Sequence, residues 1–159
     1  MSVLRKAPIA LIIFIAFVFI QSLFFKFTNS PETIYIFTTL DNWAETLGFG
    51  GVFAPNGIAS QYVVGTAELI ASTMLLASLV PSLRGVRPFG AVLALGVISG
   101  AIFFHLFTPL GVAVIDTDGT SDGGLLFAMA CGVWLAAAIL IWTDRDRLLR
   151  LIGRKPAMA

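Results

Sequence analysis

The chain has 159 residues, of which 58% are hydrophobic and only 12% are charged, and its mean hydropathy is +0.94. Soluble globular domains carry about 25% charged residues, so this composition excludes an ordinary soluble domain, and we expect no nucleic-acid partner. The formal net charge of +1 at pH 7 conceals a segregation of charged residues along the chain, which bears on orientation in a membrane. We expect a single transmembrane domain over residues 1–159, surrounded by a lipid bilayer.

Four apolar segments have about the length that a helix needs to cross a bilayer. They cover residues 8–27, 61–80, 88–107 and 123–142. About 20 apolar residues form one span, and only helices and closed barrels satisfy their backbone hydrogen bonds in lipid. Because the runs are continuous rather than alternating, they exclude a barrel. The sequence therefore predicts an all-α membrane protein, an antiparallel four-helix transmembrane bundle.

Arg5 and Lys6 precede the first segment, as basic residues do in secretory signal peptides. The apolar run that follows is too long for a signal peptide and ends without a small-x-small cleavage pattern. We expect it to be an uncleaved first span.

The connection between the first two segments contains a predicted short helix over about residues 31–47. Ser30 precedes Pro31 and Glu32, which is the order of a capping residue, a proline at the first helical position and an acid in the first turn. Apolar residues then recur at helical spacing, and Gly48 supplies a stop signal. We expect an amphipathic helix in the outer interface of the membrane, over the mouth of the bundle.

The third segment contains Gly96 and Gly100, a G-x-x-x-G pair of the kind that lets helices approach closely. Packing inside the bundle and packing against a second copy of the chain both fit this pair. A homo-oligomer is therefore a candidate partner.

Nine of the ten basic residues fall on one side of a four-span arrangement. They are Arg5, Lys6, Arg84, Arg87, Arg145, Arg147, Arg150, Arg154 and Lys155. Cytoplasmic loops are rich in Lys and Arg, so we expect both termini in the cytoplasm and the chain in a bacterial inner (plasma) membrane. The tail over residues 144–155 mixes charged and apolar residues, and we expect it to form an amphipathic helix on the anionic inner leaflet.

A few polar side chains interrupt the spans in the outer half of the bilayer. They are Gln21, Lys26, Glu68 and His105. We take these four as candidate ligand-binding residues, together with Ser72, which shares the face of Glu68 on the second span. An ionisable residue at mid-bilayer costs roughly 2.5–3.5 kcal/mol, so it usually faces the protein interior, finds a partner and marks a working site. We predict an ion pair between Lys26 and Glu68, with His105 close enough to share or relay a proton. No residue is assigned as catalytic.

Structural interpretations of these residues remain open. Lys26 can instead extend toward the interface, and Glu68 can be a purely structural partner. Gln21 can form an interhelical hydrogen bond only. We expect no metal at His105, because no second His or Cys stands at motif spacing.

Asp116, Asp118 and Asp122 place three carboxylates within seven residues of the second outer loop. An EF-hand needs a glycine at its sixth position and a glutamate at its twelfth, and neither is present. We expect a solvated turn whose last acid caps the fourth span, and cation binding by this loop is left open.

Three short motifs resemble the DoxX family of small four-span bacterial membrane proteins. They are Phe25-Lys26-Phe27-Thr28-Asn29-Ser30-Pro31-Glu32, Gly65-Thr66-Ala67-Glu68-Leu69 and Phe104-His105-Leu106. The resemblance covers about residues 16–142. It implies a four-span protein tied to redox metabolism, with relatives in thiosulfate:quinone oxidoreductase and in membrane complexes that answer oxidative stress.

This resemblance and the polar residues together lead to an expected function. The chain is expected to be an accessory or quinone/small-molecule-binding component of a membrane redox system, with a quinone as candidate cofactor and a redox subunit as candidate partner. Whether it is itself an enzyme stays open. The alternatives are a small proton-coupled transporter subunit and a non-catalytic scaffold subunit of a membrane complex.

Overall fold

The computed structural model describes residues 3–115 and 119–151, and every regular secondary-structure element in this part of the chain is a helix. The helices are α1 (Val3–Phe27), α2 (Pro31–Thr46), α3 (Gln61–Ala77), a 3-10 helix (Pro81–Val86), α4 (Arg87–Phe107), α5 (Leu125–Thr143) and α6 (Arg145–Leu151). No strand occurs within these residues, which contain only an isolated bridge between Ile115 and Ser121. The predicted all-α class is confirmed.

Three stretches of helix are long and apolar enough to cross a membrane. They are Ala7–Phe27, Pro81–Phe107 and Leu125–Thr143. Each overlaps one of the predicted spans, although Pro81–Phe107 begins before the predicted residue 88. Together they indicate that the protein is associated with a membrane. α3 is also apolar but has only 17 residues, because it ends at Ala77 rather than at the predicted residue 80.

The four longest apolar helices close into a ring. α3 and α5 each pack against both α1 and α4. The contacts at the helix ends are Gln61 with Lys26, Gly90 with Leu75, and Arg87 with Asp144. Each contact joins the beginning of one helix to the end of its neighbour, so neighbouring helices are antiparallel.

The interior of this ring is filled by small and branched apolar side chains. The buried set comprises Ile12, Ile15, Phe19, Ala71, Leu75, Ala91, Ala94, Ile98, Ala130, Val133, Ala136, Ala137 and Leu140. Large apolar side chains also cover the outside of the ring, among them Phe17, Phe24, Val92 and Trp142. An outer surface of this kind suits contact with lipid rather than water.

α2 begins and ends as the sequence predicts. The Ser30 hydroxyl accepts a hydrogen bond from the Thr33 backbone N–H, Pro31 is the first helical residue, and Gly48 follows the helix with a φ of +84°. The helix packs with the loops after it and after α4 in a second apolar cluster. Its buried members are Leu40, Ala44, Phe53, Leu110 and Val114. This cluster covers the end of the ring at which α1 and α4 finish.

The G-x-x-x-G pair does not pack inside the ring. A Cβ atom added to Gly96 or to Gly100 would meet nothing within 4 Å, and Gly96 is exposed. Close approach inside the ring occurs elsewhere on α4, where a Cβ atom at Gly90 would lie 3.0 Å from the Met74 Cβ. Of the two interpretations of this pair, packing inside the bundle is therefore wrong.

Candidate functional site

The end of α1 and the first half of α3 hold a buried ion pair. The Lys26 Nζ lies 3.1 Å from each carboxylate oxygen of Glu68 and also donates to the Ser22 hydroxyl. The side chains of Lys26 and Glu68 are only 14% and 6% exposed. The predicted ion pair is confirmed, and it faces the protein rather than the surroundings.

Helix periodicity and one glycine bring these groups together. Ser22 and Lys26 are four residues apart on α1 and therefore lie on the same face. Gly65 precedes Glu68 by nearly one turn, and a Cβ atom there would lie 3.1 Å from the Phe27 ring. The missing side chain lets α1 approach α3 closely enough for Lys26 to reach the carboxylate.

A second polar network closes the corner between α1 and α3. The Gln61 Nε2 donates to the Lys26 backbone carbonyl over 2.8 Å and also to the Asn29 Oδ1. The Tyr62 hydroxyl donates to the same Asn29 oxygen over 3.1 Å. Asn29 has a φ of +54°, a left-handed conformation that Asn tolerates better than most residues. These bonds fix the end of α1 above the ion pair.

Ser72 lies one turn beyond Glu68 on the buried face of α3 and is 1% exposed. Its hydroxyl oxygen has no hydrogen-bond partner within residues 3–115 and 119–151. Toward the other end of the ring the interior is filled by apolar side chains such as Ile12, Leu75 and Leu140. The polar face of α3 therefore ends inside the ring.

His105 is buried at the same end of the ring but joins a different group. Its Nδ1 lies 2.7 Å from the Gly111 carbonyl oxygen, and its ring packs edge-on against Phe127 of α5. No hydrogen bond in the described part of the chain joins His105 to Lys26 or to Glu68. A proton relay among the three residues has no direct path in this arrangement.

Gln21 is exposed, although it was a candidate beside Lys26. The residue that contacts Lys26 is its neighbour Ser22, which the sequence analysis missed. The i, i+4 spacing of Ser22 and Lys26 was the available signal. Of the candidates, the structure thus joins Lys26 to Glu68, places Ser72 one turn away, and leaves Gln21 and His105 apart.

No family model, curated protein or solved structure matches this chain.

The carboxylate of Asp122 organises the loop before α5. One oxygen accepts hydrogen bonds from the backbone N–H groups of Val114 (2.8 Å) and Gly124 (2.9 Å), and the other accepts from Leu126 (2.9 Å). Asp122 thus binds the first turn of α5 as predicted, although the residue at the N-cap position is Gly124. Asp116 and Asp118 lie outside the described residues.

The pKa of Asp122 is lowered from its ordinary value. Burial acts to raise this pKa, but the three backbone N–H donors, together with the nearby His105, outweigh the burial. The ionised carboxylate is therefore the form that holds the loop.

Replacing Asp122 with asparagine is expected to lower the free energy of unfolding at neutral pH by about 1–3 kcal/mol, because the amide presents an NH2 group to one of the backbone donors. The folded state has the lower carboxyl pKa, so the stabilisation is present above the unfolded pKa of about 4 and is lost as the pH falls through the folded value. Unfolding in detergent, followed from about pH 7 to pH 3, should show the two proteins converging in acid. Glu45→Gln, at an exposed position on α2, is the control.

Two concave surfaces lie near the site, and neither opens onto the ion pair. A groove of about 360 Å³ follows Tyr62, Val63, Thr66, Ala67 and Ile70, on the side of α3 opposite Glu68. A smaller cavity of about 160 Å³ is lined by Glu32, Val114, Thr120, Ser121, Asp122 and Leu126. The described residues contain no group of three or more His, Cys, Asp or Glu side chains that could hold a metal ion.

Proposed function

We propose that this protein is a four-span integral membrane protein of the DoxX type, and that it serves a membrane redox system as an accessory component that binds a quinone or another small molecule. α3 would be the remaining span. Its 17 residues rise about 25 Å at about 1.5 Å per residue, which is within the range of spanning helices.

The basic residues support an orientation with both termini in the cytoplasm. Arg84, Arg87 and the arginines of α6 lie at one end of the ring, whereas Lys26 lies at the other. In this orientation the ion pair is at the outer face of a bacterial inner membrane, and α2 lies in the outer interface.

The buried Lys26–Glu68 pair is the observation that carries the proposal. Charged groups at membrane depth are costly and are usually retained for function. The three segments that resemble the DoxX family, residues 25–32, 65–69 and 104–106, also come together at this one end of the ring. A ligand bound at this end would meet an ammonium, which can donate to a quinone carbonyl oxygen, and a carboxylate, which can accept a hydrogen bond from a quinol hydroxyl.

The hydrogen bonds of Lys26 set a condition on ligand binding. An ammonium group has three donors, and those of Lys26 are directed to Ser22 and to the two oxygens of Glu68. A ligand carbonyl that accepts from Lys26 must therefore replace one of these partners. Binding of the ligand then requires that the cluster of Lys26, Ser22 and Glu68 opens.

A scaffold function is the second candidate, because every donor of Lys26 already has a partner within the chain. Under that proposal the ion pair fixes the register of α1 against α3, as buried polar groups sometimes do. A proton-coupled transporter receives less support, since the polar face of α3 ends at Ser72 and the interior beyond it is apolar.

Glu68→Gln distinguishes the two functions. The full chain in neutral detergent is titrated with a short-chain ubiquinone analogue, and quenching of tryptophan fluorescence measures binding. Binding to the variant at least about tenfold weaker, a difference of 1.4 kcal/mol, with helicity retained, would support a ligand site. Equal binding combined with a lower unfolding temperature would favour the scaffold.

Two further variants complete this experiment. Ser22→Ala removes a partner of Lys26 without touching a charge, and it should alter quinone affinity if the cluster opens on binding. Gln21→Ala changes the exposed residue next to Ser22 and should leave both the quinone affinity and the unfolding temperature unchanged. No binding of the quinone to the wild-type protein would rule the quinone out.

A further inference from the structure

The end of the ring opposite the ion pair carries a group of exposed arginines. Arg84 lies in the 3-10 helix before α4, and Arg145, Arg147 and Arg150 lie on α6. Arg87 does not belong to this group, because its guanidinium binds the carboxylate of Asp144 through two hydrogen bonds of 2.6 Å. We call three of the exposed arginines, Arg84, Arg145 and Arg147, the arginine patch.

Two contacts assemble this patch from separate elements. The Arg147 guanidinium donates to the Arg84 backbone carbonyl over 3.0 Å, which holds α6 against the 3-10 helix. The Arg145 guanidinium lies 4.5 Å from the centre of the Trp142 ring, and Trp142 is 69% exposed. Tryptophan side chains at the ends of spans usually lie at the level of the lipid headgroups. Arg145 is thereby held at headgroup depth.

The patch is only partly neutralised by acidic side chains. Asp144 is bound to Arg87, and the Asp146 carboxylate lies 3.8 Å from Arg145. In the described part of the chain, neither Arg84 nor Arg147 has a carboxylate within ion-pair distance. Positive charge is therefore gathered here with few internal counterions.

We propose that the arginine patch binds the headgroup phosphates of anionic phospholipids. A guanidinium can donate two parallel hydrogen bonds to a phosphate, and each basic residue near an anionic membrane surface adds attraction. A lipid is the expected source of the phosphate, because the exposed Trp142 and Leu83 flank the patch and can contact acyl chains. This surface is independent of the proposed ligand site at the other end of the ring.

Binding can be measured on the full chain in neutral detergent. Phosphatidylglycerol with a fluorescent acyl chain is added, and energy transfer from tryptophan reports its association. Phosphatidylcholine with the same chain is the neutral reference. The wild-type protein should prefer phosphatidylglycerol, and added salt should reduce the preference because it screens exposed charges. Equal binding of the two lipids would overturn the proposal, as would displacement of phosphatidylglycerol by millimolar inorganic phosphate.

Substitutions within the patch complete the test. Arg84→Gln combined with Arg147→Gln should weaken phosphatidylglycerol binding by about fivefold for each arginine removed. The matched pair Arg84→Lys with Arg147→Lys retains the charge but not the two parallel hydrogen bonds, so its affinity should lie between those of the wild type and the glutamine pair. If the lysine pair loses as much affinity as the glutamine pair, the arginines act through the fold and the proposal is wrong. Should the glutamine pair not fold, Arg145→Gln against Arg145→Lys gives the same comparison.

Discussion

Replacing Lys26 with methionine is expected to lower the free energy of unfolding by about 3–5 kcal/mol, the usual cost of removing one partner of a buried ion pair. The reason is that Glu68, which is 5% exposed, would then lie in the protein without its counter-charge. Methionine keeps most of the length of the lysine side chain, so little packing is lost. Denaturation in mixed detergent micelles, followed by circular dichroism, measures the difference.

A double-mutant cycle tests this explanation. Lys26→Met together with Glu68→Met removes both charges, and replacing a buried pair by apolar side chains is often neutral or stabilising. The double variant should therefore recover most of the stability that the single variant loses. If the double variant is as unstable as Lys26→Met alone, the ion pair is not the cause. Gln21→Met, at an exposed position on the same helix, is the control for the substitution itself.

The helices were largely predictable because each is set by a local pattern. α2 has its serine cap, its first proline and its terminal glycine in the sequence, and it begins and ends within one residue of the prediction. Hydropathy alone sets the other boundaries less closely. α1 begins at Val3 although the predicted span begins at residue 8, since helix geometry continues beyond the apolar segment. α3 ends early because the chain turns at Ser78 and enters a 3-10 helix at Pro81.

The polar site was predictable only in part. Lys26 and Glu68 were recognisable as the one basic residue of the outer side and an acid in the same outer half of the bilayer, and depth follows from residue number. Rotation about the helix axis does not follow from depth. His105 has a suitable depth but lies on α4, where its side chain reaches Gly111 and Phe127. Gln21 has a suitable depth as well, yet the adjacent Ser22 is the residue that contacts the lysine.

Asn29 and Gln61 could not be found from apolar patterns, because each lies at a helix end where polar residues are common. Their role depends on the approach of α1 to α3, which is a tertiary feature. The positive φ of Asn29 directs its side chain toward α3, where Gln61 and Tyr62 both donate to it. Ser22, Asn29 and Gln61 thus make the polar contacts around Lys26. They lie on α1, at the corner after α1, and on α3.

Replacing Asp144 with alanine is expected to lower the free energy of unfolding by about 3 kcal/mol, as in other cases where one partner of a largely buried pair is lost. Arg87 begins α4 and Asp144 follows the end of α5, so the pair joins the ends of these two helices. The dipoles of α4 and α5 disfavour these charges, whereas α6, which starts directly after Asp144, favours the carboxylate. Their two hydrogen bonds of 2.6 Å pair the buried carboxylate with the guanidinium. Alanine at this position would leave Arg87 unpaired beside the partial positive charge of its own helix.

The same reasoning predicts how the loss can be reversed. Arg87→Leu combined with Asp144→Leu removes both charges of the pair and should restore much of the stability that Asp144→Ala loses, as measured by denaturation in mixed micelles. Asp146→Ala is the matched control, because that carboxylate is exposed and its contact with Arg145 is worth at most about 1 kcal/mol. A similar loss for Asp146→Ala would mean that general charge balance at this end of the ring, and not the buried pair, holds α4 to α5. If the buried pair holds α4 to α5, the stability of Asp144→Asn, which keeps an acceptor but not the charge, should be intermediate between wild type and Asp144→Ala.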